Sequence, residues 1–291
     1  MTENKLSIAN PIKTNAIIKK FKLRAKKQLG QNFLTSETAI DQICDAAELT
    51  DTDTVIEIGP GIGALTEKLA QRAKMVYAFE IDESLLPVLA DTLMDYQNVE
   101  IINQDILKVD LKEFINEKQI TGAVKVVANL PYYITTPILL QLLDEEIVFD
   151  NLVLMMQKEV AERVTATPGH REYGSLSIGV QSRMDAKISI IIGKKAFFPQ
   201  PKIDSAVVSL TKMTTNKYQI ENFKEFNKFV RSCFAQKRKS LWNNLLNMLG
   251  RTDAVKERVR GVLAQLDIPE NTRAEQLPIE KFKEMFDLLG K

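Results

Sequence analysis

Three alternate glycines and one downstream acid are the first residues here whose spacing could hold a ligand. Gly59-Pro60-Gly61-Ile62-Gly63 follows the apolar run Val55-Ile56-Glu57-Ile58. Leu65, Leu69 and Ala73 then recur at fourth-residue spacing. The pattern predicts a buried strand, a tight turn and a helix N-terminus. Glycines at such a turn accept positive φ and leave no Cβ, so the backbone can approach a ligand closely. The free N–H groups of the first helical turn favour an electron-rich group. Met75-Val76-Tyr77-Ala78-Phe79 reads as the next strand, closed by Glu80-Ile81-Asp82. A carboxylate at Glu80 can accept hydrogen bonds from both hydroxyls of a ribose. Gly59 to Ala64 also fits G-x-G-x-x-A, so NAD and S-adenosylmethionine (SAM) are both compatible with this half of the site. An ordinary strand-to-helix turn with surface acids is the third reading.

A third element separates these. The β-rich run Ala123–Ala128 ends in Asn129-Leu130-Pro131-Tyr132. The Asn129 side-chain oxygen and the Leu130 backbone carbonyl are two acceptors able to hold both hydrogens of an exocyclic amine. They would draw its nitrogen toward tetrahedral geometry and aim the lone pair. Pro131 fixes the local backbone. Tyr132 can offer an aromatic face to a base that has left its stack. Such catalysis works by positioning and electrostatics and needs no strong base. His170, the one histidine, sits in the loop-like Pro168-Gly169-His170-Arg171, which argues against a His-based triad and against most zinc sites. Asn-x-Pro-Tyr at the end of a fourth strand resembles the amino-methylating signature of SAM-dependent methyltransferases. No nicotinamide-site histidine or Tyr-x-x-x-Lys pair is apparent, so SAM is the expected cofactor, with no metal.

Four blocks extend the resemblance. They are Lys27-Gln28-Leu29-Gly30-Gln31-Asn32-Phe33-Leu34, Glu57 to Gly63, Asn129 to Tyr132, and Phe197-Phe198-Pro199-Gln200-Pro201-Lys202-Ile203-Asp204-Ser205. The segment Phe234-Ala235-Gln236-Lys237-Arg238-Lys239 adds to them. With these blocks in this order, the chain resembles the KsgA/RsmA ribosomal RNA adenine dimethyltransferases and their Erm relatives. The resemblance implies that the Asn32 side chain and the Leu34 backbone contact the methionine end of SAM. It places Gly59 and Gly61 at the cofactor, Glu80 on its ribose and Asp105 on its exocyclic amine. Asn129, Leu130, Pro131 and Tyr132 form the catalytic loop, with Asn129 also against the cofactor. Phe197 is expected to supply the second stacking face, and Phe198 to pack. The implied reaction makes N6,N6-dimethyladenosine at two adjacent adenosines near the 3′ end of 16S ribosomal RNA, within an immature 30S particle. Two other readings stand beside it. One is an RNA-binding or assembly factor that keeps SAM without turnover; the other is an Erm-type enzyme acting on large-subunit RNA.

These groups must be positioned by a sheet. Strands are predicted at 54–58, 75–80, 99–103, 123–128, 151–156, 188–192 and 206–210, with helices between most of them. The fold class expected is α/β, a Rossmann-like, doubly wound seven-stranded sheet whose last strand is antiparallel. Residues 1–214 form this methyltransferase domain, including a basic segment over 1–30; residues 1–18 are expected to be partly disordered. Helices near 220–235, 239–249, 253–265 and 278–289 make a small all-α domain over 215–291, expected to bind RNA.

Charge alone fits a polyanionic partner and a solvated tail with a solvated helix face equally well, and the amino-methylating motif favours the nucleic acid. The net charge of +1 divides into +7 over residues 1–30, +5 over 215–291 and −11 between them. Basic ends on an acidic centre suit a polyanion held at the periphery. Arg231, Lys237, Arg238, Lys239, Arg251, Lys256, Arg258 and Arg260 are the basic candidates in the helical part. Cys44 and Cys233 are too few and too distant for a disulfide framework or metal cluster. No apolar run is long enough to span a bilayer. No apolar stretch follows the N-terminal lysines, so no secretory signal is expected. A cytoplasmic monomer, free of membrane, is the expectation.

Overall fold

The computed structural model describes residues 6–26, 29–144, 149–213, 215 and 217–290. Lys27 and Gln28, the first residues of the block ending at Leu34, lie outside the described residues.

Seven strands form one sheet: β1 (Thr54–Ile58), β2 (Met75–Phe79), β3 (Val99–Ile102), β4 (Val124–Asn129), β5 (Asn151–Gln157), β6 (Met184–Ile192) and β7 (Ser205–Lys212). Their order is β3-β2-β1-β4-β5-β7-β6. β1 pairs in parallel with β2 on one side and β4 on the other. β7 runs antiparallel to β5, with Asn151 opposite Thr211 and Gln157 opposite Ser205. Every residue of β1 is buried, as a strand covered on both faces requires. The chain order reverses between β1 and β4, and a crevice at such a reversal is where α/β sheets bind ligands.

Two compact units divide the chain: residues 1–161 with 187–212, and residues 162–186 with 213–291. The helical unit therefore takes a segment that the expected boundary at 214/215 assigns to the sheet domain. Tyr173 and Ile178 from that segment join Phe226, Phe229, Val259 and Phe282 in one apolar cluster. The sequence pattern shows their apolar character but not their distant partners. In this unit Arg260 is bonded to Glu257 and Glu270, and Lys256 to Asp253. Acids thus offset two of the eight basic candidates.

The N-terminal expectation needs correction over residues 6–18. Helix Pro11–Lys20 is capped by Asn10, whose side chain accepts from the Ile12 N–H at 3.0 Å. Ile8, Ala9 and Ile17 are buried in the main core. Glu67 on helix Ala64–Ala70 accepts from the Ser7 hydroxyl and the Ile8 N–H, both at 2.8 Å. A buried acid far along the chain supplies the anchor, which local composition could not show. After β2 the chain forms a 3-10 turn at Glu83–Leu85 and then helix Leu86–Thr92. Pro87 in the first helical turn lacks the N–H a longer helix would use.

Candidate functional site

One cleft lies at the carboxyl ends of β1, β2 and β4. Its lining includes Asn32, Leu34, Gly59, Gly61, Glu80, Asp105, Asn129, Leu130, Pro131 and Tyr132. These are the expected site residues, with Phe197 the exception.

The turn after β1 takes the backbone form its glycines permit. Gly59, Gly61 and Gly63 have φ of 73°, 61° and 89°. A Cβ on Gly61 would stand 3.3 Å from the Phe33 ring, so a side chain there would press into the cleft wall as well as strain the backbone. Across the turn, the Gly61 N–H donates to the Glu80 carboxylate at 3.3 Å, and the Asp82 N–H donates to it at 2.8 Å. Burial, joined by the charge of Asp82, raises the Glu80 pKa against these N–H bonds. Asp105 caps the turn Ile106–Lys108, accepting from the Leu107 N–H at 3.1 Å.

Asn129 is the last residue of β4. Its side-chain nitrogen donates to the Asn32 carbonyl at 3.3 Å, which leaves the amide oxygen as the end able to accept. The Leu130 N–H donates to the Met155 carbonyl at 3.0 Å. Pro131 turns the chain into helix Thr135–Asp144, its carbonyl accepting from the Ile134 N–H at 3.2 Å and the Thr135 hydroxyl at 3.1 Å. The Tyr132 hydroxyl shares a 2.6 Å hydrogen bond with buried Ser205 at the start of β7. At the cleft this loop therefore leaves the Asn129 amide oxygen able to accept and holds the Tyr132 ring through its hydroxyl.

The two phenylalanines have the reverse of the expected exposure. Phe33–Leu34 and Phe197–Phe198 form a short antiparallel pair, with Leu34 opposite Phe197 and Phe33 opposite Phe198. Phe197 is 4% exposed and belongs to the main core, whereas Phe198 is 46% exposed. Adjacent residues of a strand point to opposite faces, so only one ring of the two can pack inward. Which one does is decided by a strand far away in sequence.

Glu57, Ile81 and Tyr133 also line the cleft, and sequence reasoning gave them no role. Ile81 and Tyr133 are exposed apolar or aromatic surfaces at its mouth. A large apolar residue between the acids Glu80 and Asp82 was the available signal for Ile81. Glu57 is 1% exposed, and its Oε2 finds no partner among the described residues. Burial pushes its pKa up to about 8, opposed by the Thr66 hydroxyl and assisted by the charge of Glu80. The folded protein therefore holds a proton that the unfolded chain releases near its ordinary value of 4.5. Stability should fall as pH rises from there through about 8, by on the order of 5 kcal/mol in total. Glu57→Gln should remove that slope and gain on the wild type at pH 9. Parallel thermal-denaturation profiles for the two proteins between pH 6 and 9 would show that Glu57 is ionised throughout.

The residues present fit a nucleoside-bearing cofactor such as SAM. The glycine turn leaves backbone within reach, Glu80 offers a carboxylate at the end of β2, and Glu57 leaves an orphaned buried oxygen at the cleft wall. Among the described residues no group of acids, histidines and cysteines is arranged to hold a metal ion, and no helix is long and apolar enough to cross a membrane.

Known proteins bear on this cleft. Residues 22–291 match the family model described as Ribosomal RNA adenine dimethylase. Ribosomal RNA small subunit methyltransferase A of Ligilactobacillus salivarius is 52% identical over 98% of this chain and 96% of its own. The protein of the same name from Latilactobacillus sakei is 51% identical over 97% of this chain and 96% of its own. A crystal structure of a dimethyladenosine transferase from Plasmodium falciparum superposes with a TM-score of 0.74 at 29% identity, covering 88% of this chain and 96% of that one.

Proposed function

The chain belongs to the ribosomal RNA adenine dimethylase family, and from that premise we propose that its cleft transfers methyl groups from SAM to adenine N6 of small-subunit ribosomal RNA. The observation that carries this is the Asn129 amide, its nitrogen tied to Asn32 and its oxygen left to accept. The targets are two adjacent adenosines near the 3′ end of that RNA, each converted to N6,N6-dimethyladenosine. The protein acts as a cytoplasmic monomer on an immature 30S particle.

SAM supplies a methyl group on a sulfonium, a good leaving group, so the protein need form no covalent intermediate. The task left to the chain is the nucleophile. The N6 lone pair of adenine is delocalised into its ring. Asn129 Oδ1 and the Leu130 carbonyl would accept the two amino hydrogens and localise that pair; the methylated nitrogen, then a strong acid, sheds one proton to solvent, so no dedicated base is needed. Glu80 holds the cofactor ribose, Asp105 its exocyclic amine, and Asn32 and Leu34 its methionine end. Gly59 and Gly61 admit it.

Tyr132 provides one stacking face, held by Ser205. The family resemblance assigns the other to Phe197, while exposure favours Phe198. Loss of a stacked ring costs about 1–3 kcal/mol. The stacking ring, when replaced by alanine, should raise the KM for RNA with the melting temperature unchanged. The packing ring should lower the melting temperature instead. An unchanged KM for RNA in both Phe197→Ala and Phe198→Ala would remove both from base stacking.

Labelled methyl transfer tests the choice of substrate. Small-subunit RNA should take up label and large-subunit RNA should not. Label in large-subunit RNA alone would give the protein an Erm-type role.

A further inference from the structure

Asp82, two residues past Glu80, is 4% exposed and saturated with donors. Its Oδ1 accepts from Lys26 Nζ at 2.6 Å, and from the Ser84 hydroxyl and N–H at 2.6 and 3.0 Å. Its Oδ2 accepts from Gln31 Nε2 at 2.7 Å. Gln31 Oε1 in turn accepts from the Lys26 N–H at 2.8 Å. Burial alone would raise the Asp82 pKa, but the bonds from Lys26, Ser84 and Gln31 outweigh it and hold the carboxyl at about 2. It is a fixed anion across the working pH range.

What Asp82 holds leads directly to the catalytic loop. The residue after Gln31 is Asn32, whose carbonyl accepts the Asn129 side-chain nitrogen. The residue before it, Gly30, sits at φ 59°, where a Cβ would be 3.4 Å from both the Tyr132 nitrogen and the Tyr133 ring. Gly30 thus lies beside the Asn129–Tyr133 turn, Asn32 bonds to that turn, and Gln31 between them is tied to Asp82. An amide that donates to a fixed carbonyl cannot flip its oxygen away without losing that bond. The Asn32 carbonyl lies between two anchors, Gln31 tied to Asp82 and Phe33 paired with Phe198, and only the first is a side-chain tie that a substitution can cut.

We propose that Asp82 is a positioning residue for methyl transfer, holding Gln31 so that the Asn32 carbonyl keeps the Asn129 amide oxygen turned toward the target amine. This rests on the role given to Asn129 above. It differs from a capping role, in which Asp82 serves only the turn Glu83–Leu85 through Ser84.

Four variants separate these roles. Gln31→Ala cuts the tie to the loop and leaves the Ser84 cap intact. Ser84→Ala removes the hydroxyl's bond to Asp82, keeps the backbone N–H cap and leaves Gln31. Asp82→Asn weakens both, and Asn129→Ala removes the end of the relay. At saturating SAM and RNA, Gln31→Ala and Asp82→Asn should each lower kcat about tenfold, with smaller changes in KM, as expected when an interaction acts chiefly in the transition state. Ser84→Ala should lower the melting temperature and leave kcat unchanged. In the Asn129→Ala background, Gln31→Ala should cost no further kcat, because residues acting through one group are not additive. Without any turnover, the side-chain amide resonances of Asn129 should shift or broaden in Gln31→Ala and stay in place in Ser84→Ala. An unchanged kcat and unchanged Asn129 resonances in Gln31→Ala would overturn the proposal, as would losses that multiply in the double variant. If Asn129→Ala itself turns over at the wild-type rate, the reading of the site fails first. If Asn129→Ala is impaired while Gln31→Ala is not, only the relay fails.

Discussion

Asn129→Ala should bind SAM within a few-fold of the wild type and lose about a hundredfold in single-turnover methyl transfer. The magnitude is that of deleting one preorganised polar group aimed at the charge that changes in the transition state. Without the amide oxygen, one N6 hydrogen has no acceptor and the lone pair stays in the ring. The remaining acceptor, the Leu130 carbonyl, belongs to the backbone and survives the substitution. So does the ring of Tyr132, which is held by Ser205 rather than by Asn129. Base binding should therefore persist, and the defect should appear in the chemical step. The Asn32 carbonyl would lose its 3.3 Å donor, a modest structural change beside a cleft. A variant with near wild-type single-turnover rates would sink the positioning mechanism.

Glu80→Ala should weaken SAM binding roughly ten- to hundredfold, from the loss of about 1.5–3 kcal/mol of hydrogen bonding to a charged acceptor. Both ribose hydroxyls would lose one shared carboxylate. The Gly61 and Asp82 N–H groups would lose it too. The glycine turn is thus loosened by the same substitution that removes the ribose contact. Calorimetry with SAM reads the effect directly, and a melting curve shows that the fold remains. Unchanged affinity would take Glu80 out of the cofactor site.

Much of this cleft is readable in the sequence because its parts are local. A β-branched run, alternate glycines and a following acid declare a strand, a turn and a strand end without reference to anything distant. Asn129 to Tyr132 is likewise contiguous, and its placement follows from ending a strand. What the sequence does not disclose depends on partners far along the chain. Glu67 orders the N-terminal segment because Ile8 and Ser7 come to it across about sixty residues. Asp82 reads as a second surface acid until Gln31 and Lys26 are brought to it. Phe197 and Phe198 are adjacent and chemically equivalent, so only the pairing with Phe33–Leu34 decides which ring is covered. The helical unit gains Glu162–Ala186 for the same reason: apolar residues such as Tyr173 and Ile178 are visible, but the helices they pack on are not.

The degree of methylation tests the central claim most directly. After one transfer N6 keeps a single hydrogen, so only one of the acceptors at Asn129 and Leu130 stays engaged. The second transfer needs the methylamino group to turn and seat its methyl. By its resemblance to the dimethylating enzymes, Asn-Leu-Pro-Tyr with Leu130 at the second place implies room for that turn, and the Leu130 side chain is buried at the cleft. The monomethyl form should therefore be a short-lived intermediate. The measurement is mass spectrometry of nucleosides from small-subunit RNA, presented as immature particles and treated with purified protein and SAM. N6,N6-dimethyladenosine should accumulate at two nucleotides per particle, with little monomethyladenosine at any time. Monomethyladenosine alone at saturation would contradict dimethylation at this cleft, and no methylated adenosine at all would leave the protein a binding factor.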